Sequence, residues 1–131
     1  MKDGISIGQQ AVINAEITTE MYAQFEGEII HPAYSTVSMV YHMEWASRQL
    51  ILPYLEDGEE GIGGGIEMKH LGSASAGQSI EVIATIISLT RKSVISSVEV
   101  RRGTTLIGTG QVVQFILPKN VIEDKLKNIK M

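Results

Sequence analysis

Residues 35–55 form the longest helical pattern in the chain, and this segment constrains the fold more than any other. Apolar residues occur on nearly every face of that pattern. A helix that is apolar on most sides is a buried helix, so the rest of the chain must cover it. Ser35 or Thr36 can cap its start, and Pro53 marks the point where the regular helix stops. We therefore expect one long buried helix.

Alternating polar and apolar residues predict strands before and after this helix. The segment 19–35 is predicted to be a loop with one helical turn, because the residue before Pro32 is biased away from helix. The regular spacing of the later strands is typical of an antiparallel meander. Nothing else in the chain is long enough to cover the helix, so the sheet must wrap around it. The predicted strands are 10–18, 61–71, 80–89, 94–101 and 105–117.

This layout is an α+β fold of the hotdog type, an antiparallel sheet wrapped around one long buried helix. We expect a single domain over residues 1–131, with residues 118–131 as a short helical tail. Asn120 and Glu123 have the spacing of a capping box at the start of that tail.

Composition excludes several classes of protein. The chain contains no cysteine, so it has no disulfide framework and no thiolate metal site. Its net charge of −4 disfavours binding to nucleic acid. The first residues lack the apolar core of a secretory signal, and no run of about 18 apolar residues suggests a membrane span. We therefore expect a cytoplasmic protein. The basic pairs at 91–92 and 101–102 are either solvated turn charges or clamps for a ligand's phosphates.

Glu44 is a carboxylate in the middle of the apolar helix. Burial of a carboxylate is costly unless the group is paired, and Arg48 is suitably placed one turn later. The simpler interpretation is that these two residues form an ion pair. The functional interpretation is that Glu44 is a general base or nucleophile whose pKa depends on partial burial.

The strand predicted at 61–71 contains two features of interest. Ile62, Gly64, Ile66, Met68 and His70 fall on one face, which we expect to point to the core. His70 is then either a packed core histidine or a catalytic group. The glycine run at 61–65 is either a bulged strand start or a place where the backbone approaches a ligand, with N–H groups for a carbonyl oxygen.

Three blocks of sequence, 34–46, 53–56 and 63–70, resemble the fluoroacetyl-CoA thioesterase-like family of hotdog proteins. The block Met43-Glu44-Trp45-Ala46 is the most specific part of the resemblance. The resemblance implies hydrolysis of an acyl-CoA at a subunit interface, without a metal or prosthetic group. It implies that Thr36, Glu44 and His70 are catalytic.

The same resemblance implies that Gly63 contacts the substrate carbonyl, with Gly64 beside it. The family's aromatic lid position is occupied here by Ile30. The resemblance therefore points to the family and not to fluoroacetyl-CoA as the particular substrate. Eight residues of straight helix would separate Thr36 from Glu44 by about 12 Å. Either Thr36 precedes the helix, or the two groups come from different subunits.

Three functions are compatible with these residues. The first is a thioesterase acting on a small acyl-CoA, as a homodimer or dimer of dimers, because the sheet's edge needs a partner. The second is a non-catalytic acyl-CoA-binding hotdog protein, since fold does not fix function. The third is a hotdog enoyl-CoA hydratase. Thiol release from acetyl-CoA distinguishes the first from the other two.

Overall fold

The computed structural model describes residues 1–129 and has one helix packed against a five-stranded antiparallel sheet. The strands are β1 (Gln10–Glu16), β2 (Tyr22–Phe25), β3 (Glu28–Tyr34), β4 (Glu59–His70), β5 (Ser79–Leu89), β6 (Ser93–Arg102) and β7 (Thr105–Pro118). The helices are α1 (Thr36–Ile51) and α2 (Lys119–Lys127). The sheet order is β1-β5-β6-β7-β4, while β2 and β3 form a separate hairpin. The predicted α+β hotdog architecture is confirmed.

The central helix begins and ends close to where the sequence predicts. Ser35 is the N-cap, because its side chain accepts a hydrogen bond from the Ser38 backbone N–H at 3.0 Å. Thr36 is therefore the first residue of the helix and does not precede it. Pro53 lies in the 3₁₀ turn Leu52–Tyr54 that ends the helical segment.

One face of α1 is buried against the sheet, and the opposite face is exposed. Val37, Tyr41 and Trp45 lie one turn apart and are 73%, 61% and 46% exposed. The prediction that the whole helix is buried is therefore wrong for one chain alone, since a single sheet covers only one side of a helix. The residues buried against the sheet are Met39, His42, Met43, Ala46, Ser47, Leu50 and Ile51.

Strands β5 and β6 each have one face on the core. Within Ile80–Ile86 and Val94–Val100 every second residue is buried, as expected for strands that pack one face on a core. The buried residues are Ile80, Val82, Ala84 and Ile86 in β5 and Val94, Ser96, Val98 and Val100 in β6.

A bulge in β4 changes which residues face the helix. Gly63 pairs with Gln114 and Gly65 pairs with Val113, so Gly64 is the extra residue. A bulge reverses the alternation, which places Ile62 outside the core with 42% of its surface exposed. The prediction that Ile62 and Gly64 share the core face with His70 is wrong for this reason.

The segment 19–35 contains the predicted helical turn, as a 3₁₀ turn at Thr19–Met21. The rest of the segment forms the β2–β3 hairpin, so the prediction of a loop there is wrong. Phe25 pairs with Glu28 across a two-residue turn, in which Glu26 and Gly27 have φ angles of 53° and 82°. Positive φ at both positions matches the twist of a hairpin, so a glycine preceded by a polar residue was the available signal.

The predicted tail helix is present as α2, but its start differs. Strand β7 runs to Pro118, and the helix follows directly with Pro118 as its N-cap and no side-chain cap. The capping box predicted at Asn120 is therefore wrong, because Asn120 already lies inside the helix. The last two residues of the predicted tail lie outside the described residues. Within residues 1–129, no helix is long and apolar enough to cross a membrane.

Gly110 allows β7 to approach β4 and the helix closely. A β-carbon at this position would lie 2.6 Å from the backbone carbonyl oxygen of Glu67 and 3.2 Å from the Met43 sulfur. We expect Gly110→Ala to lower the free energy of unfolding by about 1–3 kcal/mol, because the backbone must shift. Urea denaturation measures the change, with the neighbouring Thr109→Ala as the control. Equal stability of the two variants would contradict the close approach.

Candidate active site

Thr36 and His70 meet at one end of the molecule. Thr36 begins α1, His70 ends β4, and the Thr36 hydroxyl lies 2.9 Å from His70 Nδ1 within hydrogen-bond distance. Both residues line an open cavity of about 240 Å³ together with Ala23, His31, Ala33, Tyr34, Ser35 and Ser73. The hydrogen bond fixes the orientation of the imidazole and leaves its other nitrogen for a second partner. Two of the predicted catalytic residues are therefore in direct contact.

A buried tyrosine and histidine lie directly behind this pair. The Tyr34 hydroxyl and His42 Nδ1 are joined by a hydrogen bond of 2.6 Å, and both side chains are almost fully buried. Burial raises the pKa of Tyr34 and lowers the pKa of His42. The ring of Tyr34 also packs edge-on against His70, with 6.3 Å between ring centroids. Tyr34 thus connects the buried His42 to the exposed pair.

Glu44 lies at a different place, opposite the glycine segment of β4. A β-carbon on Gly63 would be 4.0 Å from Glu44 Oε1, so the missing side chain leaves room beside this carboxylate. The two residues line a cavity of about 120 Å³ with Arg48, Gly61, Val112 and Gln114. Because Glu44 is exposed in the single chain, the predicted partial burial of its carboxylate is not found there.

Arg48 does not form the predicted ion pair with Glu44. Its guanidinium lies 2.7 Å from Glu60 Oε1, so Arg48 forms its ion pair with a carboxylate of β4. The interpretation of Glu44 as the partner of Arg48 is therefore wrong. Its carboxylate faces the cavity beside Gly63.

The two groups are separated within one chain. Thr36 and Glu44 both lie in α1, which sets them about 12 Å apart along the helix axis. Gly63 and His70 lie toward opposite ends of β4, about 20 Å apart along an extended strand. The sequence left two alternatives, and the one with Thr36 before the helix is now excluded. Within one chain the predicted site residues therefore form two separate clusters, Thr36 with His70 and Glu44 with Gly63, which we call half-sites.

The remaining predicted substrate contacts lie near these half-sites. Ile30 is in β3, next to the cavity residue His31, and is 52% exposed. Gly64 is the bulged residue and faces the ring of Phe115 on the outer side of the sheet. Sequence reasoning does not place Tyr34 and His31 at this cavity, because a loop is predicted for their segment. The strand pattern around Pro32 was too irregular to place them.

No group of three His, Asp or Glu side chains in residues 1–129 is arranged to hold a metal ion.

The buried His42 makes stability depend on pH. Its pKa lies below the ordinary value of 6.5 because burial disfavours the charged form. The unfolded chain therefore binds a proton first, so the free energy of unfolding should fall as the pH drops below 6.5 toward the lowered pKa of the folded state. Denaturation at several pH values measures this fall. His42→Gln should flatten it, and an equally steep fall in that variant would assign the effect to other groups.

Comparison with known proteins identifies the family of this chain. Residues 17–120 match the FlK family, described as fluoroacetyl-CoA-specific thioesterase. The fluoroacetyl-CoA thioesterase of Streptantibioticus cattleyicolor is 28% identical over 116 residues, which cover 84% of each chain.

Two solved structures superpose on most of the chain. A hypothetical protein of Thermus thermophilus, a thioesterase superfamily member, is 41% identical with a TM-score of 0.91, covering 95% of this chain and 93% of its own. The fluoroacetyl-CoA thioesterase FlK is 23% identical with a TM-score of 0.89, covering 98% and 100%. The chain therefore belongs to the FlK family within the hotdog thioesterase superfamily.

Proposed function

We propose that the protein hydrolyses a small acyl-CoA thioester to the free acid and CoA. The observation that carries this proposal is the position of the Glu44 carboxylate, which faces the side-chain-free strand at Gly63. A carboxylate beside open backbone can take a proton from water next to a bound carbonyl group. The relative FlK has been crystallised with acetyl-CoA as a threonine-to-serine variant, which supports the substrate class.

The complete site needs a second copy of the chain. Strand β4 pairs with β7 on one side only and forms one edge of the sheet. The exposed helix stripe of Val37, Tyr41 and Trp45 is the apolar face that one sheet leaves uncovered. An unpaired edge and an uncovered apolar face both favour association with a partner. We therefore propose a homodimer formed through β4.

The bulge in β4 sets the register of this pairing. Antiparallel pairing about a two-fold axis near Glu67 brings Ile66 opposite the partner's Met68, with both on the helix side. If the bulge is counted as one position, Gly63 then lies opposite the partner's His70. This arrangement joins the Glu44 half-site of one chain to the Thr36–His70 half-site of the other. The dimer therefore contains two composite sites.

The chemistry at a composite site follows from the groups it contains. Backbone N–H groups around Gly63 and the start of the partner's α1 bind the thioester oxygen as it gains negative charge. Glu44 accepts a proton from a water molecule, whose oxygen attacks the carbonyl carbon. The C–S bond then breaks, and the partner's His70 donates a proton to the thiolate. The proton held by Glu44 returns through solvent to His70, which completes the cycle.

A second route for the same residue is direct nucleophilic attack by Glu44. In that route its oxygen attacks the carbonyl carbon and the thiolate leaves, and water then attacks the Glu44 carbonyl carbon of the mixed anhydride and releases the acid. Hydrolysis in ¹⁸O-labelled water distinguishes the two routes during a single turnover, because only the nucleophile route transfers label into Glu44.

Ile30 near the Thr36–His70 cavity gives no aromatic contact, so the proposed substrate is a small acyl-CoA and not fluoroacetyl-CoA in particular.

Glu44→Gln should reduce thiol release from a small acyl-CoA by at least about 10²-fold, because the amide cannot act as a base or nucleophile. The assay is thiol detection over a panel of acyl-CoA substrates. Glu81→Gln, an exposed carboxylate on β5, is the matched control and should retain full activity. Retention of more than about a tenth of the rate in Glu44→Gln would exclude an essential role.

Mixing two inactive variants tests the composite site. Glu44→Gln and His70→Ala chains should each be inactive alone. Random exchange places both substitutions in one site of each mixed dimer and leaves the other site intact, so about a quarter of the wild-type activity should return.

No recovery after verified exchange would show that Glu44 and His70 act within one chain. Light scattering provides the second measurement, because a species of only 14.3 kDa would exclude the dimer. The melting temperature of His70→Ala is the control for folding. An unstable His70→Ala variant with a normal rate per folded molecule would identify His70 as a packing residue.

A further inference from the structure

Gln114 is a buried polar side chain at the cavity that contains Glu44, and its amide takes no part in the proposed steps. It lies in β7, where its backbone pairs with Gly63 of β4. Only 6% of its surface is exposed, and it lines the cavity of about 120 Å³ together with Glu44 and Gly63. Burial of an amide is costly unless its polar atoms find partners, so the partners of this side chain indicate its use.

One hydrogen bond fixes which end of the Gln114 amide faces the cavity. The Nε2 atom donates to the backbone carbonyl oxygen of Ser47 at 2.9 Å. The nitrogen therefore lies on the side of the helix, and the oxygen Oε1 is directed away from that carbonyl. Within residues 1–129 no group donates to Oε1, and no fully enclosed side-chain oxygen lacks a partner, so Oε1 is open to the cavity. Arg48, a donor in the cavity wall, forms its hydrogen bond with Glu60 instead.

Two buried hydrogen bonds hold this amide at a fixed position relative to Glu44. Ser47 follows Glu44 by about one turn of α1. Besides the bond from Gln114 to its carbonyl, Ser47 accepts a hydrogen bond at its hydroxyl from the Ser96 hydroxyl of β6 at 2.8 Å. The turn of α1 next to Glu44 is thus tied to both β6 and β7, so the amide and the carboxylate keep their separation.

The glycines of β4 leave a common space in front of the two side-chain oxygens. A β-carbon on Gly61 would lie 3.9 Å from Gln114 Oε1, and one on Gly63 would lie 4.0 Å from Glu44 Oε1. Gly61 and Gly63 are two residues apart in a regularly paired stretch of the strand, so both positions belong to the same face. A water molecule takes up about 30 Å³ in the liquid, so a cavity of this size has room for water beside both acceptors.

We propose that Gln114 is a catalytic residue that holds the attacking water jointly with Glu44. The inference rests on the proposed function, in the route where Glu44 acts as a general base. Water has two hydrogens, and here one is donated to the Glu44 carboxylate and the other to Gln114 Oε1. With both hydrogens held, a lone pair of the water oxygen faces the carbonyl carbon of the thioester bound at Gly63.

The hydrolysis balances with Gln114 unchanged. Glu44 takes one proton as the bond forms between the water oxygen and the carbonyl carbon. The second hydrogen stays on that oxygen, bonded to Gln114 Oε1, and leaves with the free acid. The C–S bond breaks, and the partner's His70 donates the proton that converts the thiolate to CoA. Gln114 therefore orients the nucleophile and exchanges no proton, because its amide oxygen acts only as a hydrogen-bond acceptor.

Gln114→Met removes the amide acceptor while keeping the length of the side chain. It should lower kcat for a small acyl-CoA by about tenfold or more with KM unchanged, because only the orientation of the water is lost. Gln114→Asn keeps an amide on a shorter side chain and should lower kcat in the same way. Ser96→Ala is the matched control, since it removes the other buried hydrogen bond to Ser47 without changing the cavity wall. It should lower the melting temperature and keep the wild-type kcat.

Methanol distinguishes this role from a purely structural one. Its single hydroxyl hydrogen is donated to Glu44 and none remains for Gln114, so the wild-type site should favour water over methanol. In aqueous methanol, the ratio of methyl ester to free acid should therefore rise by about threefold or more in Gln114→Met. The ratio should stay at the wild-type value in Ser96→Ala. Because only folded molecules form either product, this ratio does not depend on the folded fraction.

A wild-type kcat and product ratio in Gln114→Met overturn the inference and leave the thioesterase proposal intact. A lowered kcat with an unchanged product ratio overturns it too, because Gln114 would then act through packing alone. So does transfer of ¹⁸O from labelled water into Glu44, because hydrolysis then follows the nucleophile route. If the wild-type protein releases no thiol from any acyl-CoA, the inference and the proposed function both fail.

Discussion

The packing of α1 on the sheet is the contact on which the rest of the structure depends. Met39 and Met43 are fully buried, and two glycines of β7, Gly108 and Gly110, lie beneath their sulfur atoms. Because these two positions lack side chains, the helix packs closely on this strand, which is the neighbour of β4. This close contact fixes the height of Thr36 and Glu44 above β4, and so the distances of both groups to the strand that carries Gly63 and His70.

Much of this architecture can be predicted from local sequence patterns. Strands β5 and β6 alternate without interruption, and Ser35 with Pro53 delimits the helix, so these elements follow from side-chain periodicity and capping. The β2–β3 hairpin could not be predicted from the sequence, because Glu26-Gly27 is a weaker turn signal than the usual Asn-Gly pair. The bulge at Gly64 could not be predicted either. Three consecutive glycines do not indicate which of them lacks a pairing partner in the neighbouring strand.

The candidate site shows a similar division. The sequence alone was enough to predict Thr36, Glu44 and His70 as candidate catalytic residues. The prediction used their residue types and the family resemblance of the segments around them. Helical geometry alone also showed that Thr36 and Glu44 cannot meet within one straight helix. The contact between Thr36 and His70 depends on where the end of β4 meets the start of the helix, 34 residues away in sequence. Such a long-range contact is set by tertiary packing and has no local sequence signal.

The order of strands in the sheet has a consequence during synthesis of the chain. Among residues 1–129, the only strand that pairs with β4 is β7, and Gly61 pairs with Ile116 near the end of that strand. As the chain leaves the ribosome, β4 therefore has no paired strand on either edge while β5 and β6 emerge and pair with each other. The strand proposed to join two copies becomes a defined surface only after β7 has docked. Assembly through β4 thus follows the completion of each chain, which limits premature association between nascent chains.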